Sequence, residues 1–290
     1  MKNGIKEFRA KAGDVVDLKK WPTHIPPLYK TKAEYKKRLA EQVEKLSALQ
    51  ELLFSLHRES VLVVFQAMDT AGKDGAIKHV RSGVNPQGCQ VFSFAHPSAV
   101  ELKHDFLGRT TRDLPERGKI GLFNRSYYEE VLIVRVHPEI LKAEGLPPHA
   151  EDDDDIWKKR FQSIREFEQH LHRNGTRVVK IFLHISKDEQ RTRLLERIDA
   201  PAKNWKMQAG DVDERKYWKQ YRKAYEECMT ATTSREAPWY IVPADDKQTA
   251  RLLVSRIIVD TLEDLELKQP ETTAERHKEL QQLRARLLED

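Results

Sequence analysis

Five consecutive apolar residues, Val61-Leu62-Val63-Val64-Phe65, run straight into Gln66-Ala67-Met68-Asp69-Thr70-Ala71-Gly72-Lys73-Asp74. An apolar run with no polar alternation is the pattern of a strand buried on both faces, as in a parallel sheet. A strand, a loop of small residues and a Gly-Lys pair opening a helix make a phosphate cradle. Loop N–H groups point at phosphate oxygens, the helix start adds partial positive charge, and Lys73 adds a full one. Ala71, Gly72, Lys73 and Asp74 are the residues this reading assigns to phosphate. The loop departs from G-x-x-x-x-G-K-[ST] at two positions: Ala67 replaces the first glycine, and Asp74 replaces the hydroxyl residue that would hold magnesium. Asp69 adds a carboxylate inside the loop. Such a loop grips phosphate with an unusual metal arrangement, so the donor need not be a nucleoside triphosphate.

The remaining pattern supplies a sheet for this loop. Strands are expected at 89–94, 119–123, 177–185 and 239–242, with helical segments between them, which is the signature of βαβ units and a parallel sheet. A helix is expected over 32–57, with Tyr35, Leu39, Val43, Leu46, Leu49, Leu52, Leu53 and Leu56 on one face. Others are expected near 75–82 and 99–107. The acidic run Glu151–Asp155 reads as the start of a helix carrying Trp157, Phe161, Ile164, Phe167 and Leu171, and Ser186-Lys187-Asp188-Glu189 as a capping box. Residues 1–30, punctuated by Pro22, Pro26 and Pro27, read as an extended arm. A central domain over 31–265 and a charged helical tail over 266–290 complete the organisation. The stripe Leu280, Leu283, Leu287, Leu288 in that tail suits docking or oligomer contact. A length of 290 residues fits one large α/β domain with these appendages.

Composition narrows the class further. The net charge of +5 fits either a polyanionic ligand or a lysine-rich surface. The two cysteines, Cys89 and Cys228, form no C-x-x-C pair, which argues against a disulfide framework or a zinc site. No apolar leader or 18-residue apolar run occurs, so the expectation is a cytoplasmic protein without a membrane segment.

Two further constellations carry chemistry. Asn124 and Arg125 follow the third strand, where a parallel sheet gathers its ligands. Arg125 has the planar fork to bridge two phosphates. Segment 187–215 holds Arg191, Arg193, Arg197, Lys203 and Lys206 around Trp205, the pattern of a basic lid closing over phosphate. Lys78 and Arg81, on the helix after the loop, are expected to hold more of a long anion.

These runs resemble family 2 of the polyphosphate kinases. The matching motifs are Ala67 to Gly75, Gly83 to Gly88, His104-Asp105-Phe106-Leu107 and Phe123 to Val131. Asp199-Ala200-Pro201 with Lys203 to Lys206, and Ala237 to Tyr240 with Pro243-Ala244-Asp245, complete them. The resemblance spans residues 30 to 265 in order. It implies an α/β P-loop kinase fold of the thymidylate-kinase type: a three-layer sandwich with a five-stranded parallel sheet and a helical basic lid. It implies phosphoryl transfer from inorganic polyphosphate to AMP or ADP, giving ADP and ATP, with Mg2+ or Mn2+. By position, Asp69, Lys73, Arg125, Arg191, Arg193 and Arg197 correspond to its catalytic residues. Asp105, Phe106, Asn124, Tyr127, Tyr128 and Glu129 fall at its acceptor-nucleotide site, and Asp69 and Glu129 are the metal candidates. Much of the family has Asp at position 124 and Asn at 129. Asn124 and Glu129 look like the subgroup that phosphorylates both AMP and ADP. The family tends to form homodimers or homotetramers. An ATP-dependent nucleoside monophosphate kinase on the same fold is the alternative, although its loop usually carries Ser/Thr after the lysine. A nucleic-acid-binding module has no need of Asp69, Asp74 and Glu129 beside its phosphates.

Overall fold

β1 (Ser60–Ala67) is buried at every position, as its unbroken apolar run requires. In the computed structural model, which describes residues 5–151, 153–269 and 272–289, it is the central strand of a parallel sheet. The other strands are β2 (Cys89–Ser93), β3 (Ile120–Asn124), β4 (Thr176–His184) and β5 (Trp239–Pro243), and the order is β2-β3-β1-β4-β5. The chain moves to opposite sides of β1 at β3 and β4, so the crevice beyond the carboxyl end of β1 is the switch point of the sheet. Register carries the neighbouring strand ends there: Phe65 pairs with Asn124 and Ala67 with Leu183.

Among the described residues seven helices exceed two turns. They are α1 (Lys32–Leu56), α2 (Lys73–Arg81), α3 (Ile156–Arg173), α4 (Lys187–Asp199), α5 (Trp218–Thr232), α6 (Lys247–Glu263) and α7 (Ala274–Glu289). α1, α6 and α2 pack together as one layer, and α3 and α5 pack together as another. The starts are written in the sequence. Thr31 accepts from Glu34 N (3.1 Å), Ser186 from Glu189 N (3.1 Å), and Asp246 from Gln248 N and Thr249 N, each satisfying donors that have no intrahelical partner.

Two expectations change. Residues 99–107 do not form a helix; only a 3-10 turn, Glu101–Lys103, and a short helix, Gly108–Thr111, occur. Ser98 and Glu101 exchange capping bonds that open the turn, and Asp105 accepts from Leu107 N (2.9 Å), which diverts the backbone from continuing it. Asp155 precedes α3 without a side-chain cap, and its own N–H donates to Asp153 (2.9 Å); Asp152 lies outside the described residues. The amino-terminal arm packs against the central domain. Phe8, Ala10, Val16 and Leu18 are buried. Ala10 N donates to Trp239 O (2.9 Å), Arg9 and Tyr240 form an antiparallel bridge, and Leu18 N donates to Glu226 on α5 (2.9 Å). In contrast, α7 is exposed along its length, its four leucines included. No described helix is long and apolar enough to cross a membrane.

Candidate active site

The loop between β1 and α2 turns on two residues with positive φ, Thr70 (64°) and Gly72 (106°). Glycine takes this conformation freely, whereas a β-branched residue is strained there by roughly 1–2 kcal/mol. Arg125, just past β3, is a third such residue (φ 64°). Strain of this kind persists where surrounding contacts over-determine it. Here four loop carbonyls are tied back by side-chain donors. Lys73 Nζ donates to Ala67 O (3.0 Å), Gln190 Nε2 to Asp69 O (3.1 Å), and Arg193 Nη1 to both Thr70 O (3.1 Å) and Ala71 O (2.9 Å). The first N–H groups of α2 have no intrahelical acceptor and remain for an anion.

The loop forms one wall of a cleft of about 810 Å3. Eight cationic side chains line it: Lys73, Arg125, Arg193 and Arg197 with Lys203, Lys206, Lys247 and Arg251. Among the described residues only four acids do, and each lies beside one cation. The pairs are Asp69–Arg125 (3.8 Å), Asp74–Lys206 (3.3 Å), Asp211–Arg197 (3.7 Å) and Glu196–Lys247 (3.4 Å). Lys73, Lys203 and Arg251 have no acidic partner among the described residues. A cleft with surplus cations held close together is built for an anion of several charges.

The titrating groups respond to this crowding. Burial pushes Lys73 below the ordinary lysine range, with Arg125 adding to the effect and the nearby carboxylates opposing it. Arg125 is held above its ordinary value, chiefly by Glu129. Burial raises Glu129 despite the attraction of Arg125 and Lys73. For Asp74, which is partly desolvated by its neighbours in the cleft, desolvation alone would raise the pKa. The hydrogen bond from Asn124 Nδ2 (2.9 Å) and the Lys206 ammonium reverse this and hold the carboxyl low.

Asp69, Ala71, Gly72, Lys73, Asp74, Asn124, Arg125 and Arg197 therefore converge on one cleft, with Glu129 behind Arg125. Other expected residues are elsewhere. Tyr127 and Tyr128 are fully buried, and both hydroxyls donate to Glu168 Oε1 (2.9 and 2.8 Å); Lys180 Nζ reaches Glu168 Oε2 (2.6 Å). They anchor α3 to the sheet and do not face a nucleotide, which corrects the acceptor assignment. Asp105 caps its own turn, and Phe106 packs beneath the Arg160 guanidinium (5.1 Å); neither lines the cleft. Lys78 and Arg81 lie on the exposed face of α2 outside it, and Arg191 is an exposed partner of Asp188 (3.2 Å). Arg193 is 3% exposed with every donor engaged, so no N–H is left for a phosphate. Lys247 and Arg251 were not foreseen. Their only signal is a pair of cations at i and i+4 opening the helix after the last strand. Tyr221 and Tyr225 of α5, which stand near Arg125 and Glu129, left no readable pattern either.

A phosphate loop at the switch point of a 2-3-1-4-5 parallel sheet, opposite a basic helical segment, defines a P-loop phosphotransferase. Residues 29–270 match the family described as Polyphosphate kinase 2 (PPK2), and the chain belongs to that family. It is 61% identical over 288 residues to a Rhodopseudomonas palustris protein named ADP-polyphosphate phosphotransferase, covering 99% of this chain and all of that one. It is 42% identical to the AMP/ADP-polyphosphate phosphotransferase of Meiothermus ruber, covering 94% and 98% of the two chains. The crystal structure of polyphosphate kinase 2 from Arthrobacter aurescens TC1 superposes with a TM-score of 0.87 at 38% identity, covering 98% of this chain and 96% of that one. The alternative of an ATP-dependent monophosphate kinase finds no support in these relatives.

Proposed function

We propose that this enzyme moves the terminal phosphoryl group of inorganic polyphosphate onto ADP and AMP. The observation that carries the reading is the cleft itself, in which eight cations surround a phosphate loop and outnumber the acids two to one. Lys203, Lys206, Lys247 and Arg251 extend the positive lining past the loop, as an anion longer than a single phosphate group needs.

The chemistry asks little covalent work of the protein. The attacking phosphate oxygen is already anionic near neutral pH, because a phosphate's second pKa is about 6. Catalysis is then alignment of donor and acceptor with neutralisation of crowded charge. Lys73 leaves Ala67 O to take a donor phosphate oxygen. Arg125 lies between the loop and Glu129, where its fork reaches oxygens on both substrates. The segment 187–215 acts as a lid, bringing Arg197, Lys203 and Lys206 over the polymer.

Asp69 stands close enough to Glu129 to help raise its pKa, and no group of three acidic, His or Cys ligands occurs among the described residues. That sparse carboxylate set fits Mg2+, which keeps waters and substrate oxygens and takes one or two protein carboxylates. Asp69 and Glu129 would hold the ion, and it would supply positive charge against the charge developing on the transferred group. A cytoplasmic setting suits two buried, unpaired cysteines. Assembly into homodimers or homotetramers is supported by the uncovered leucines of α7.

Acceptance of AMP as well as ADP rests on Asn124 and Glu129. The 61% identical relative, whose name mentions ADP alone, favours ADP as sole acceptor. The experiment is a panel of AMP, ADP, GMP and GDP, each with long-chain polyphosphate and Mg2+ and no other triphosphate. ATP formed from ADP establishes the reaction. No turnover of AMP leaves the ADP-only reading.

A further inference from the structure

Arg193 is the most fully engaged cation beside the cleft. It is 3% exposed, and all five of its N–H groups are donated within the protein. Nε reaches Glu189 Oε1 (2.7 Å) one turn back on α4. Nη1 reaches Thr70 O and Ala71 O, at 3.1 and 2.9 Å. Nη2 reaches Ala244 O and Asp245 O, at 2.6 and 2.9 Å, just beyond β5. One guanidinium thus joins the phosphate loop, the end of the last strand and the first turns of the basic helix.

The contact with the loop is geometrically particular. Successive carbonyls of an extended chain point to opposite sides. The left-handed turn at Thr70 brings the carbonyls of Thr70 and Ala71 to one side, where a single nitrogen receives both. With both carbonyls held behind the loop, the peptide N–H groups that follow are left to face the cleft. The Thr70 hydroxyl is buried with no partner among the described residues, so no hydrogen bond from that side chain stabilises the strained turn.

We propose that Arg193 is a positioning residue of the phosphate loop: it holds the loop in its anion-binding form through Thr70 and Ala71 and makes no contact with the transferring phosphoryl group. The reaction it serves is the one proposed above, and the assignment rests on that reading.

The test combines Arg193→Met, Arg193→Lys and Thr70→Gly with the double variant Arg193→Met/Thr70→Gly in the full chain. Arg193→Met should raise KM for polyphosphate at least tenfold and leave KM for ADP within twofold. Glycine adopts positive φ without strain, so the same substitution in the Thr70→Gly background should raise it no more than about threefold. Arg193→Lys keeps the charge but cannot reach four carbonyls, and it should resemble Arg193→Met. It also carries the test if the methionine variant does not fold. A fall in kcat with unchanged KM for polyphosphate and no relief from Thr70→Gly would mean direct contact with the phosphoryl group, and the proposal would be wrong. A lowered unfolding temperature with unaltered KM and kcat per active site would reduce Arg193 to a structural bolt, which also overturns it.

Hydrogen exchange of amides 69–74, with and without tripolyphosphate, separates this assignment from the reaction. Protection by tripolyphosphate that is strong in the natural protein and weak in both Arg193 variants supports the loop role even if no nucleotide is phosphorylated. Equal protection in all of them removes it, whatever the turnover.

Discussion

Asn124 Nδ2 donates to Asp74 Oδ1 across 2.9 Å. The position at the end of β3 that lacks the common carboxylate is therefore bonded to the position on α2 that lacks the usual hydroxyl. Lys206, from the basic segment, closes on the other oxygen of Asp74 at 3.3 Å. An aspartate at 124 would face Asp74 carboxylate to carboxylate.

Asn124→Asp is predicted to exchange this hydrogen bond for a like-charge contact. Asp74 is largely exposed, so solvent screens the repulsion and the stability loss should stay near 1 kcal/mol. The larger effect should be on ions. Half-maximal activity should need several-fold less Mg2+, because the added carboxylate offers a second anchor. An Mg2+ titration of initial rates measures this; an unchanged midpoint would exclude position 124 from the metal environment.

Lys73→Ala and Asp69→Ala should fold normally and fail in transfer. Removing one preorganised charge from a transition state is worth about 3 kcal/mol, on the scale of oxyanion-hole deletions, or two to three orders of magnitude in rate. Circular dichroism with single-turnover assays checks both halves. A variant retaining a tenth of natural activity would take that residue out of the mechanism.

Glu130 predicts a pH dependence of stability. Burial, aided by Glu144 and opposed by Arg160, raises its pKa to about 7. The folded protein therefore binds a proton that the unfolded chain releases near pH 4.5. This contribution is complete below that pH and is lost as pH rises through 7, up to roughly 3 kcal/mol. Glu130→Gln keeps the shape and removes the titration. Its unfolding temperature, measured from pH 5 to 8.5, should fall less than that of the natural protein, with the two curves diverging towards alkaline pH. Parallel curves would show that Glu130 does not titrate in this window.

The buried ion pair Lys180–Glu168 should respond unequally to its partners. Lys180→Met leaves a buried carboxylate with only two tyrosine donors and should destabilise by about 3–5 kcal/mol. Tyr127→Phe removes one donor of three and should cost about 1 kcal/mol. If Tyr127 is structural, KM for the nucleotide stays within twofold in that variant; a tenfold rise would return it to the acceptor site.

The sheet was legible because strand burial is local information: each apolar run needed no knowledge of the others. The loop was legible for the same reason, since its chemistry lies within nine consecutive residues. Tyr127 and Tyr128 were not. An aromatic pair after a strand reads alike whether it faces a ligand or the core, and the deciding residue, Glu168, is forty positions away. Arg193 and Arg197 lie one turn apart on the same helix, and only the carbonyls of Thr70, Ala71, Ala244 and Asp245 distinguish them. Residues 99–107 misled because Ser98 and Glu101 do open a helical turn, while the Asp105 side chain takes the backbone donor of Leu107 and the turn does not propagate.

The bridge between Arg9 and Tyr240 has a kinetic side. β5 is an edge strand, and its outer hydrogen-bonding groups would be open to pairing with another molecule. The opening residues cover part of that edge, yet their partner is made some 230 residues later. Until β5 arrives, a nascent chain has nowhere to lay its first buried residues. Closing so long a loop is slow, and the interval exposes both ends to misassociation. Shielding by a chaperone during synthesis, or a bulky fusion at the amino terminus, should thus influence the yield of folded enzyme more than its final stability.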